Sequence, residues 1–114
     1  MSSAILQLAE RLGKAIAESA EAETLRTARR QMQAEEGLEQ TLKDYQGEAD
    51  KIAKLQDQNK PIEVDDKHKL EELQSKLLGS DAFKKYTAAQ VEYVDLMRKV
   101  NESIRQQLAE TEST

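Results

Sequence analysis

Cysteine and tryptophan are absent from this 114-residue sequence, and proline and histidine occur once each. Without cysteine there is no disulfide framework, no thiol nucleophile and no cysteine-ligated zinc or iron–sulfur site. The same absence fits a reducing interior. Aromatic residues make up 4% of the chain and amount to Phe83, Tyr45, Tyr86 and Tyr93, too few for a compact core around large rings. No run approaches the roughly 20 apolar residues of a membrane span. The N-terminal apolar pattern is broken by Glu10, Arg11 and Lys14, so it lacks the uninterrupted core of a signal peptide. A cytoplasmic protein with no membrane segment is expected. Dense basic runs are missing too, which argues against a nucleic-acid reader.

What is present is a surplus of straight-chain helix formers. Charged residues reach 34% and apolar ones 38%, with Glu, Lys, Ala, Leu and Gln abundant and β-branched residues scarce. That bias specifies an all-α chain. The net charge of −5 is unevenly spread: residues 1–34 carry +1, residues 35–66 carry −6 and residues 67–114 are neutral.

Five helical segments are read from the apolar spacing, at about 3–18, 20–34, 35–58, 66–78 and 81–110, within one domain over 1–114. In the first, Ile5, Leu8, Leu12 and Ile16 recur at helical spacing and make a one-sided stripe. Ser19 lies where that pattern changes and is able to cap a second helix with Leu25, Ala28 and Met32 on its apolar face; one helix running through Ser19 is the alternative. In the third, Leu38, Leu42, Tyr45, Ala49, Ile52 and Leu55 repeat close to every 3.5 residues, a coiled-coil-like seam. The acids Glu35 and Glu36 suit its N-terminus. Asn59 to Asp66, with Pro61, reads as a loop. Leu70, Leu73 and Leu77 mark the fourth helix, Gly79 suits its C′ position, and Ser80-Asp81 caps the fifth. The fifth is the longest, with a seam of Phe83, Tyr86, Gln90, Val94, Met97, Asn101, Ile104 and Leu108. Its length makes the third helix its expected partner in a long antiparallel hairpin, with the shorter helices alongside in an elongated bundle. Stripes left uncovered in so small a chain point to a homodimer or higher oligomer.

No catalytic grouping emerges. His68 is the one imidazole, set among charges in Asp66-Lys67-His68-Lys69, and reads as a surface residue. The pairs Glu35-Glu36, Asp65-Asp66 and Glu71-Glu72 are adjacent on a helix and point about 100° apart. Glu35/Glu39, Asp44/Glu48 and Glu92/Asp95 could converge, yet stand beside Lys and Arg and read as solvated faces. No Glu-x-x-His pair offers a di-iron site, and the glycines lack a phosphate-cradling spacing. Neither a metal, a cofactor nor a small-molecule substrate is expected. Arg26, Arg29 and Arg30 share a helix face; they read as partners for the acidic middle segment or an acidic protein, and alternatively as an RNA contact. Gln90 and Asn101 in the last seam read as register-setting amides.

Taken in order, Leu8-Ala9-x-x-Leu12-x-x-x-Ile16-x-x-Ser19, Leu25-x-x-Ala28, Glu35-Glu36, Tyr45-Gln46, Gln56 through Pro61-Ile62, and Ala89-x-x-Glu92-x-x-x-Leu96-Met97-x-x-Val100-Asn101-x-x-Ile104-x-x-x-Leu108 resemble the YheA branch of the YlbF/YmcA family. The resemblance covers residues 4 to 108 and rests on order and spacing. It implies a small bacterial all-helical protein that associates with itself and acts in protein complexes. Better-known branches regulate competence, sporulation and biofilm formation through an RNA-processing endonuclease. Some of their complexes hold cysteine-bound iron–sulfur clusters, which this cysteine-free chain is not expected to share.

The sequence thus presents a non-enzymatic helical interaction module, self-associating and regulatory or adaptor in kind. Leu38, Leu42, Tyr45, Ile52, Tyr86, Val94, Met97, Asn101 and Ile104 are its expected oligomer or partner interface. An RNA-associated accessory factor and a helical-hairpin chaperone are the alternatives.

Overall fold

Ser19 decides how the chain begins. In the computed structural model, which describes residues 2–113, its hydroxyl donates to the Ile16 carbonyl at 2.6 Å and accepts from the Ala22 N–H at 3.1 Å. One side chain therefore closes α1 (Ser2–Ala17) and caps α2 (Ala20–Ala34), satisfying groups that a helix terminus leaves unpaired. Arg26 Nη1 adds a bond to the Ala17 carbonyl at 2.9 Å. The N-terminal segments are two helices, not one.

The next element starts later than the acids at 35 and 36 suggest. α3 spans Leu38–Asp57, because Gly37 takes a left-handed backbone at φ 79° that α-helix geometry excludes. Glu35 and Glu36 lie in the turn before it. α3 ends in a Schellman arrangement: Lys60 N–H donates to the Leu55 carbonyl at 2.8 Å and Asn59 N–H to Gln56 at 3.1 Å. Asn59 supplies the left-handed residue at φ 56°, the role more often given to glycine. Pro61 follows, and α4 (Val64–Leu78) begins two residues ahead of the expected start. Gly79 is the C-cap of α4 with ordinary right-handed backbone (φ −78°), so its left-handed freedom is unused. Ser80 Oγ accepts from Phe83 N–H at 3.1 Å and caps α5 (Asp81–Ser113). At 33 residues, α5 is about 50 Å long.

The chain divides into two units. One is continuous, Ala28–Tyr86, and is built on the antiparallel hairpin of α3 and α4. This corrects the expected pairing: α3 forms its antiparallel hairpin with α4, its neighbour in sequence, and the start of α5 joins the same cluster. Met32, Leu38 and Leu77 are its buried centre, with Leu42, Tyr45, Ala82, Phe83 and Tyr86 packed around them. Ser80 Oγ also donates to Glu35 Oε2 at 2.8 Å, joining the turn before α3 to the turn before α5.

The second unit contains residues up to Thr27 together with those from Thr87 onward. Here the start of α2 runs antiparallel to α5: Ala20, Glu21 and Thr24 share a groove with Glu92, Asp95, Leu96 and Lys99, and Leu25 shares another with Val91 and Val94. Among the described residues, its buried ones are alanines, Ala22 and Ala89. Among the described residues, no helix is long and apolar enough to cross a membrane.

Candidate functional site

Apolar side chains left in water are the most conspicuous feature of the surface. On α1, Ile5 is 70% exposed, Leu8 61% and Leu12 39%. Spaced by three and four residues, they lie along one face. The Ser19 bonds and the Arg26 clamp fix how α1 leaves α2. α5 exposes a second stripe: Val94 at 65%, Ile104 at 47% and Leu108 at 59%, with Asn101 between them also exposed. Single exposed leucines are ordinary on a protein surface. Rows of them along a helix form a candidate interaction surface.

The nine interface residues expected from sequence divide into two groups. Leu38 is 5% exposed, and Leu42, Tyr45 and Tyr86 pack against its cluster. Their apolar area is used inside the chain, where the seam of α3 meets α4. Ile52 and Met97 are half-buried. Val94, Asn101 and Ile104 remain at the surface. None of the nine lies on α1, whose stripe is expected to pack within the bundle but is exposed. Val91 and Leu108 are exposed in the same way.

The arginines are engaged close to home. Arg26 holds the Ala17 carbonyl, and the Arg29 guanidinium lies 6.0 Å from the Tyr86 ring centroid, the outer limit of a cation–π contact. Arg26 and Arg29 thus meet a carbonyl and a ring. In the acidic middle segment, two carboxylates meet lysines. Lys51 Nζ bonds Asp66 Oδ1 at 2.9 Å, and Lys69 Nζ stands 3.7 Å from Glu48 Oε2. The Lys51 bond holds the Asp66 carboxyl below the usual aspartate range, and a hydrogen bond with Glu48 acts in the same direction. Asp66 in turn raises Lys51.

Glu48 contradicts its expected place on a solvated face. It is 5% exposed, and its Oε1 has no hydrogen-bond partner. The sequence carried a signal for this: Glu48 stands three residues after Tyr45 and four before Ile52, within the apolar stripe. On α5, Arg98 bridges Asp95 at 2.8 Å and Glu102 at 3.2 Å; Arg98 and then Lys99 lower Asp95. That network is solvent-exposed and contributes little to stability. His68 is exposed. Among the described residues, no three of His, Cys, Asp and Glu gather as metal ligands.

A five-helix chain with exposed helix stripes has the form of an interaction protein. It belongs to the YlbF/YmcA family: the profile described as "Control of competence regulator ComK, YlbF/YmcA" matches residues 5–109. It is non-enzymatic, as that family assignment indicates. The UPF0342 protein DSY1594 of Desulfitobacterium hafniense (strain Y51) is 28% identical over 109 residues, spanning 96% of this chain and 83% of that protein. A chain of the X-ray crystal structure of Bacillus subtilis RicA in complex with RicF superposes with a TM-score of 0.78 at 18% identity, covering 96% of this chain and 97% of the other. At that identity the likeness is one of fold.

Proposed function

We propose that this protein is a regulatory or adaptor module of the YheA-like branch, which works by presenting the apolar faces of α1 and α5 to protein helices. The observation that carries the reading is the pair of exposed stripes, Ile5–Leu8–Leu12 and Val94–Ile104–Leu108. Leaving such side chains in water forgoes about 1.5–3 kcal/mol for each one that could be fully buried. The structurally similar chain belongs to a complex of RicA with RicF, which supports a protein as the occupant. Self-association, as a homodimer or higher oligomer, is the simplest form of that occupancy and requires no second gene product. The engagement of Arg26 and Arg29 inside the chain favours protein over RNA as the ligand.

The test combines light scattering with affinity capture from the native cell. The wild-type chain is expected to run as an oligomer or to retain a specific protein, and Leu8→Glu with Ile104→Glu to lose both while remaining helical. A wild-type chain that stays monomeric and captures nothing specific overturns the reading.

A further inference from the structure

Among the described residues, α1 is tied down at its C-terminal end, by the Ser19 and Arg26 bonds to the carbonyls of Ile16 and Ala17. Residues 3–15 are exposed on every side of the helix. A helix of 16 residues is marginal in water and depends on packing for its stability. The end of α5 is exposed in the same way over residues 101–111. Both helices leave their unit from one end, because α2 begins where Ala20 and Glu21 meet Asp95 and Lys99. The exposed lengths are alike, about 20 Å on α1 and about 16 Å on α5 at 1.5 Å per residue. Within one chain, the junction at Ser19 leaves α1 off its own α5. The surface area carries a matching excess. Two separate compact bodies of half this mass would together expose about 7,600 Å². This chain exposes 8911 Å², about 1,300 Å² more than its two units require. A symmetric pair would remove about 2,600 Å² in total, within the roughly 2,000–5,000 Å² of obligate homodimers.

We propose, on the reading that α1 and α5 bind protein helices, that their occupant is a second copy of this chain, with α1 of each copy lying along the exposed end of α5 of the other. Leu8 and Leu12 then face Ile104 and Leu108 across the pair, and the two contacts are related by a two-fold axis. A second copy carries both stripes in the required number, so one closed pair covers all four and leaves no stripe over. A partner of another kind has to present two apolar helices in that same arrangement. Contact between like helices, α1 on α1 and α5 on α5, is the competing geometry, and it makes opposite demands on the variants below.

Sedimentation equilibrium on complementary full-length variants tests the pairing. One carries Leu8→Glu and Leu12→Glu, the other Ile104→Lys and Leu108→Lys. Each alone is expected to raise the dimer dissociation constant at least about 100-fold, since every contact contains one spoiled stripe. An equimolar mixture is expected to dimerise at least about tenfold more tightly than either alone, because one contact is then wild type and the other sets Glu against Lys. Variants that each still dimerise, with no gain on mixing, place like helices together and overturn the proposal. Should a variant lose its helices, isotope-filtered nuclear Overhauser spectra of wild-type protein, half labelled and half unlabelled, decide instead. Methyl contacts between α1 and α5 of different copies are expected, and contacts between like helices alone overturn it. A wild-type chain that is monomeric at micromolar concentration also overturns it. If that monomer still captures a protein through the same stripes, the adaptor role survives without the dimer.

Discussion

Ser19 and Asp66 show how much single side chains control here. Ser19 serves two helix ends at once, and Ser19→Ala is expected to cost about 1 kcal/mol, within the 0.5–2 kcal/mol typical of a lost N-cap. Urea unfolding measures it, and an unchanged midpoint would mean that water replaces both bonds. Asp66 is an acid held down by Lys51, then by Glu48. A depressed carboxyl contributes stability that is present above the ordinary aspartate value of about 3.9 and lost as pH falls through the folded one. Asp66→Asn should therefore destabilise the protein at pH 7 and make progressively less difference in acid. Thermal melts across that range test the sign. Asn59 pays for a left-handed backbone that glycine adopts freely. Asn59→Gly is expected to stabilise by a few tenths to about 1 kcal/mol, and a loss in calorimetry would show that the Asn side chain is needed in the turn.

At the scale of elements, two leucines on different helices should behave in opposite ways. Leu77 is 2% exposed at the centre of the hairpin unit, while Leu8 is 61% exposed on α1. Leu77→Ala should cost about 2–5 kcal/mol. Leu8→Ala should leave the monomer's unfolding free energy within about 0.5 kcal/mol of wild type and appear only as weakened association at low protein concentration. Equal losses for the two would place α1 in a folded core. The helices themselves were legible because their ends are written in local chemistry. The Ser19 cap, the Pro61 break and the Ser80 cap each act within a few residues. The start of α3 was misread since Glu35 and Glu36 favour a helix start in general, whereas the left-handed Gly37 is a single backbone choice. Pairing was less legible still. Length suggested that α5 should lie with α3, but a short loop closed by a Schellman motif returns the chain at once, so α4 is the partner. An apolar stripe tells that a face will be covered and not by what. The same limit applies to Leu38 and Tyr45, which pack inside the chain, and to Ile5 and Leu8, which the chain leaves exposed.

For the molecule as a whole, membership of the YlbF/YmcA family rests on a match over 5–109, and the fold agrees with a TM-score of 0.78. The association variants Leu8→Glu and Ile104→Glu test the function at this scale, because each adds a charge to a face the chain does not itself bury. Retained association would move the interface elsewhere, with Val64 and Leu78, 64% and 52% exposed, as the next apolar positions to alter.

The division of the chain also sets an order of events in time. The hairpin unit is one uninterrupted stretch, Ala28–Tyr86, whereas the other unit needs both chain ends. On a ribosome the stretch through Tyr86 is complete before Val91, Val94 or Ala89 exists in usable form, and its contacts are mostly between sequence neighbours, which close quickly. The leucines of the N-terminal helix are exposed throughout, in the nascent chain as in the finished one. For that interval the nascent chain has a finished middle, and a partner already present in the cell would meet α1 before α5 exists.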